Sequence, residues 1–234
     1  MNRILNKINR IRILFILILI LFILILILIL FILILMKKLK VGITGGIGSG
    51  KTTVCHIFET LGIPVYYADD RAKALMIKEG NLKNKIRNLF GGEAYLPDGQ
   101  LNRKHIADTA FHSPLLLQKL NELVHPAVFE DGNAWHEAQN DAPYTLKEAA
   151  LLYESGSFAF LDQIIAVYAP KDLRIKRVIL RGAGAMTRED VEARIAKQMP
   201  DEEKKERADF VIINDGLQAL IPQVLRIHRT LMGL

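Results

Sequence analysis

Gly45-Gly46-Ile47-Gly48-Ser49-Gly50-Lys51-Thr52 fits the phosphate-loop template G-x-x-x-x-G-K-[S/T], and each fixed position has a physical reason. Glycines let the backbone curl until successive N–H groups point inward at phosphate oxygens. The positive end of the following helix adds to that field. The Lys51 ammonium suits the β- and γ-phosphates, and the Thr52 hydroxyl suits the Mg²⁺ that travels with them. A glycine-rich turn before an ordinary helix is the plainer alternative, but strand, loop, lysine and hydroxyl follow in the required order. The chain is expected to bind a nucleoside triphosphate.

A phosphoryl-transfer enzyme also needs a base and cations for the transferring group. Asp69 ends a short apolar run, at the strand edge where an open parallel sheet gathers its ligands, and a carboxylate there can take the proton of an attacking hydroxyl. It can equally cap the next helix, and Asp70 competes for either part. Arg174, Arg177 and Arg181 share one helical face, with Arg188 and Arg194 beyond the small-residue link Gly182 to Ala185. Arginines on a mobile lid can stabilise the charge on the equatorial oxygens; Arg181, beside the link, fits that part, and Arg194 fits a solvated face. Glu154, at the end of the run Ala149 to Tyr153, suits a water-bridged metal, a substrate or a surface cap. His125, followed by Pro126, carries no pattern of its own. No Cys/His cluster has zinc spacing, Ser155 and Ser157 lack a G-x-S-x-G frame, and Cys55 reads as a small buried side chain.

The elements that would position these groups alternate between apolar runs and helical patterns, which argues for a doubly wound α/β fold. Strands are expected at Leu39–Ile43, Pro64–Ala68, Thr145–Tyr153, Ile164–Tyr168 and Asp209–Asn214. Helices are expected at Thr52–Leu61, Asp172–Arg181, Arg188–Met199 and Gly216–Leu234. The stretch from Arg71 to His136 is mainly helical and too long for a simple crossover, so it reads as an inserted substrate-binding subdomain.

Upstream lies a run of 24 residues, 13–36, all Ile, Leu or Phe except the Met that closes it. As a helix it would reach about 36 Å, enough to cross a bilayer with tilt. Its monotony and lack of Gly, Ala, Ser, Trp and Tyr are unlike a packed span, and the basic residues on both flanks give little orientation, if anything keeping the short N-terminal side in the cytoplasm. The simpler reading is a start at Met36, with 1–35 a low-complexity leader; a membrane anchor through 13–36 is the alternative. The leader carries four of the 31 Lys and Arg and none of the 25 Asp and Glu, so the remainder stands at 27 against 25. That balance gives no reason to invoke nucleic acid. The remaining 199 residues suit one α/β domain with insertions, and a single cysteine fits a reducing compartment, hence the cytoplasm.

The loop, Asp69, Glu154 and the last strand together resemble the dephospho-CoA kinase family over Met36–Leu234. The segments that carry the resemblance are Val41 to Thr53, Gly62-Ile63-Pro64-Val65 leading into Ala68-Asp69, Leu101-Asn102-Arg103, His125-Pro126 and Leu151 to Glu154. Thr187-Arg188-Glu189, Arg194-Ile195 with Gln198, and Ala208 to Gly216 complete the set. The resemblance implies a fold of the nucleoside-monophosphate-kinase type, with a helical acceptor insertion at about 71–140 and a lid at about 172–200. It implies phosphorylation of the ribose 3′-hydroxyl of dephospho-CoA by ATP with Mg²⁺, in a monomer or weak oligomer. Asp69 would be the base, Gly48, Ser49, Gly50, Lys51, Thr52 and Thr53 would hold ATP, and Arg181 or Arg188 would clamp the phosphoryl group. Asn102, Arg103 and His125 would line the acceptor side, and Asn214 would lie near the adenine. Two departures stand out: Tyr67 occupies the place of a second aspartate often found in the family, and the Gly182–Met186 link is longer and less charged than the usual lid. Rival readings are another P-loop small-molecule kinase such as a nucleoside monophosphate kinase, a P-loop GTPase or motor, which lacks its N-K-x-D motif here, and a membrane-anchored binding protein.

Overall fold

The computed structural model describes residues 15–29, 38–111, 113–182 and 186–234. The chain divides into two units, Met1–Lys38 and Leu39–Leu234. In the first, residues 15–29 are helical (α1) and their apolar side chains are exposed. No helix among the described residues is long and apolar enough to cross a membrane. The run 13–36 and the Met36 start lie partly outside the described residues, as does most of the link 182–186.

The second unit is built on a five-stranded parallel sheet in the order β2-β3-β1-β4-β5. Its strands are β1 (Leu39–Thr44), β2 (Val65–Tyr67), β3 (Tyr144–Glu148), β4 (Gln163–Tyr168) and β5 (Phe210–Ile213). Covered on both faces, the central strands read as apolar runs. Val41, Ile43, Leu146, Ile165 and Ile212 face α2 (Lys51–Thr60), and the last helix lies on that side too. Tyr66, Ile164 and Leu152 pack on the opposite face.

Between β2 and β3 the expected helical insertion comprises α3 (Ala68–Ile77), α4 (Asn81–Phe90), α5 (Arg103–Phe111) and α6 (Pro114–Glu137). Ile86, Phe90, Ala94, Tyr95, Ile106 and Val124 give it a core of its own. Asp131 of α6 ties it to the sheet, accepting from Tyr66 Oη at 2.7 Å and from Arg71 Nε and Nη2 at 2.8 and 2.6 Å.

The remaining helices are α7 (Lys171–Arg181), α8 (Arg188–Ile195), α9 (Asp201–Arg207) and α10 (Leu220–Leu231). Three boundaries differ from the sequence expectation. β3 stops at Glu148, and the run from Ala149 turns away to bury Leu152 and Tyr153. The charged stretch ends at Ile195, and α9 is a separate helix after Pro200, whose ring disfavours helix at the residue before it. The closing helix starts at Leu220 because Asp215 accepts from the N–H groups of Leu217 and Gln218, a local turn that competes with helix.

Candidate active site

Four strands deliver their functional residues to one edge, the carboxyl ends. β1 runs into the phosphate loop, β2 into Asp69, β3 into Glu148, and β5 into Asn214. In the loop Gly48 and Gly50 have φ of +81° and +92°, in the region that favours glycine. Gly50 leads into α2, whose first turn has neither a side-chain cap nor an acidic residue. Its leading N–H groups are therefore open to an anion.

Lys51 folds back over the loop. Its Nζ donates to the Gly45 carbonyl at 3.0 Å and lies 3.8 Å from Glu148 Oε1. Burial pulls the Lys51 ammonium below the usual lysine range, against the pull of Glu148; burial likewise pushes the Glu148 carboxyl up, against Lys51. Two neighbouring groups take no part: burial pushes up the Cys55 thiol, leaving it protonated, and the Tyr67 phenol behaves the same way.

The loop is gripped from the other end of the chain. Ile47 N–H donates to Gln198 Oε1 at 3.0 Å, and Gly46 N–H to the Asp201 carboxylate. Asp201 pairs with Arg174 at 2.8 Å, both side chains being nearly buried, and Arg174 Nη1 donates to the Ile47 carbonyl at 3.4 Å. Asn214 Nδ2 donates to the Ser49 carbonyl at 2.7 Å and is itself held by Arg177. With the amides of Gly46 and Ile47 engaged, and that of Ser49 donating to the Gly46 carbonyl at 3.1 Å, the amides of Gly48, Gly50 and the first turn of α2 are the ones left for an anion.

Two cavities flank this edge. One of about 340 Å³ is lined by Gly48, Gly50, Thr53, Arg177, Arg181 and Asn214. The other, about 530 Å³, lies between the sheet and the helical insertion, and Asp69, His125 and Lys147 contribute its ionisable groups. The two neighbouring aspartates part company here. Asp69 lines the cavity, whereas Asp70 is paired with Lys73 at 2.6 Å on the surface.

Other expected site residues lie elsewhere. Asn102 Oδ1 accepts from His105 N–H at 3.2 Å at the start of α5, and Arg103 is exposed beside it; neither lines the cavity. Arg188 is exposed and paired with Asp172 and Glu192. Glu154 is not at a strand end: it accepts from Met199 N–H at 2.7 Å and from Lys204 Nζ at 3.0 Å, and lines neither cavity. Lys204, 1 % exposed, also donates to the Ala150 carbonyl, so Glu154 works as a tie between segments.

Glu148, Lys147 and Asp201 were not singled out from sequence, and Gln198 only as part of the resemblance, without a role. For the first two a signal existed: a Lys-Glu pair at the end of an apolar strand sends two charges to opposite faces. Among the described residues no group of three His, Cys, Asp or Glu side chains could hold a metal alone. The exposed Thr52 hydroxyl beside the open amides fits a Mg²⁺ whose other ligands are phosphate and water oxygens.

Residues 39–219 match the family model described as dephospho-CoA kinase. A dephospho-CoA kinase of Bacteroides fragilis is 40 % identical over 189 residues, 81 % of this chain and 91 % of the relative. One from Aquifex aeolicus is 35 % identical over 193 residues, 82 % of this chain and 97 % of the relative. Among solved structures, one from Thermus thermophilus superposes with a TM-score of 0.71 at 31 % identity, covering 84 % of this chain and 97 % of the other. Dephospho-CoA kinase from Campylobacter jejuni gives a TM-score of 0.61 at 25 % identity, covering 84 % and 99 %.

Proposed function

The chain belongs to the dephospho-CoA kinase family, and on that footing we infer that it transfers the γ-phosphoryl group of ATP to the ribose 3′-hydroxyl of dephospho-CoA, the last step of coenzyme A synthesis. The comparisons do not favour a nucleoside monophosphate kinase. The observation that carries the site assignment is that Asp69, and not Asp70, lines the larger cavity, on the same sheet edge as the phosphate loop.

In this reading ATP lies against the segment from Gly48 to Thr53, its phosphates on the open N–H groups there, and dephospho-CoA fills the cavity against the insertion. Asp69 takes the proton of the 3′-hydroxyl as that oxygen bonds to the γ-phosphorus and the bridging P–O bond to the β-phosphate breaks, releasing ADP. Lys51 and Arg181 face the negative charge that spreads over the transferring group, Arg181 from the wall of the smaller cavity. Thr52 would hold Mg²⁺, which when bound would supply positive charge against the phosphates. His125 forms part of the acceptor wall, and burial keeps its imidazole below the usual range, hence neutral. Asn214 shapes the nucleotide side by fixing the loop. The helical insertion serves as acceptor domain and α7 with α8 as lid. The lone buried thiol and the use of ATP support a cytoplasmic location, and we take the enzyme as a monomer or weak oligomer.

ADP formation with ATP, Mg²⁺ and dephospho-CoA, beside AMP and shikimate as acceptors, tests the reading. Turnover is expected with dephospho-CoA alone. Asp69→Asn is expected to lower kcat by about 10²- to 10⁴-fold with ATP binding kept; turnover on another acceptor would overturn the substrate assignment.

A further inference from the structure

β3 sends two charged neighbours to opposite faces of the sheet. Glu148 turns towards Lys51, and Lys147 turns into the larger cavity, where it is the only lysine or arginine among the described lining residues. Lys147 is half-buried, and among the described residues it has neither an ion pair nor a side-chain hydrogen bond. Lys40, its neighbour on β1, differs: it donates to Asn133 Oδ1 at 3.0 Å and stands 4.0 Å from Glu137 Oε1. Burial, and then Lys40, weaken the Lys147 ammonium, and Lys147 in turn weighs on His125 across the cavity. A partly desolvated cation without a counter-ion is unfavourable, so a cavity that keeps one is built for an anionic ligand.

We propose that Lys147 binds the 5′-diphosphate of the acceptor and so sets the enzyme's preference for a nucleotide ester of that charge. This rests on dephospho-CoA being the acceptor. With the ribose 3′-hydroxyl at Asp69, the negative charge of that molecule is all in its diphosphate. The rest of the wall is largely apolar, with Met76, Leu120, Val124, Phe129 and Phe160, and suits the uncharged parts. Lys147 thus separates the acceptor from uncharged nucleosides by a direct ion contact, whereas Asp69 reads the hydroxyl that all of them share.

The test compares parent, Lys147→Met and Lys147→Arg, each checked by circular dichroism and thermal unfolding, with Lys147→Gln in reserve should the Met variant fail to fold. The methionine variant is expected to raise the KM for dephospho-CoA at least tenfold, with the KM for ATP within twofold. Arginine is expected to restore the acceptor KM to within threefold of the parent. The rise of acceptor KM with added KCl is expected to be shallower in the methionine variant. An unchanged acceptor KM, or a parallel rise in the ATP KM, would overturn the proposal. If the parent itself does not turn over dephospho-CoA, the functional reading falls first and this one with it.

Discussion

The Glu148 carboxylate and the Lys51 ammonium face each other 3.8 Å apart at the carboxyl ends of β3 and α2's leading loop, each side chain about a tenth exposed. In the proposed function Lys51 meets the incoming phosphate, and Glu148 is then a rival partner for its ammonium. A carboxylate in that place steadies the lysine and at the same time repels the phosphates.

Replacing it separates the two effects. Glu148→Gln is expected to lower the stability of the empty protein by about 1–3 kcal/mol, since a buried charge loses its partner. It is also expected to tighten ATP binding several-fold, because the penalty falls on the empty state and the repulsion disappears. Thermal unfolding with and without ATP reads both; weaker ATP binding would contradict the rival-partner account.

The grip on the outside of the loop yields a second expectation. Asp201→Asn leaves Arg174 nearly buried and unpaired, and is expected to cost about 3 kcal/mol, measured by denaturant unfolding. Gln198→Ala removes one neutral hydrogen bond to Ile47 and is expected to cost about 1 kcal/mol. A larger effect from Gln198 than from Asp201 would show that the ion pair is not the main anchor.

Gly50 tests the cradle itself. A Cβ there would lie 2.2 Å from Asn214 Nδ2, at a φ of +92°. Gly50→Ala must therefore push Asn214 off the Ser49 carbonyl, and is expected to weaken ATP binding about tenfold, the equivalent of one lost hydrogen bond of about 1.4 kcal/mol. Equilibrium titration with a non-hydrolysable ATP analogue measures it, and unchanged affinity would show that the loop tolerates the shift.

Asp131 joins the insertion to the sheet, and its stability contribution depends on pH. The hydrogen bond from Arg71 holds its carboxyl below the usual range, helped by Tyr66. A depressed folded-state pKa stabilises the protein above the unfolded value of about 3.9, and the contribution is lost as pH falls through the folded value. Asp131→Asn is expected to lose about 1–2 kcal/mol at pH 7, with the gap to the parent closing below about pH 4. Urea unfolding across pH 3 to 7 checks this, and a gap constant down to pH 3 would assign the loss to packing.

How much was legible in the chain depended on whether the chemistry is local. The phosphate loop lies in eight consecutive residues, and glycine, lysine and hydroxyl carry their function by type and order, so Gly45 to Thr52 could be read directly. The alternation of apolar runs and helices, and the length of the insertion, likewise followed from periodicity and composition. Side-chain direction was a different matter, because two adjacent residues differ only in which way the backbone sends them. Asp69 and Asp70 were equal candidates until the first turn of α3 aimed one into the cavity and left the other to Lys73. Glu154 looked like a strand end, but β3 stops six residues earlier, and Glu148 holds that place. Arg181 was favoured for its place beside the link, but the resemblance left Arg181 and Arg188 both open as the clamp; packing set Arg181 beside the loop and paired Arg188 with Asp172 and Glu192. The grip of Gln198 and Asp201 on the loop joins residues about 150 positions apart, and no local pattern encodes it. The sequence by itself determined the chemistry this protein has available; the tertiary structure decided which carboxylate, which arginine and which lysine line the cavities beside the loop, because burial and distance exist only in the folded chain.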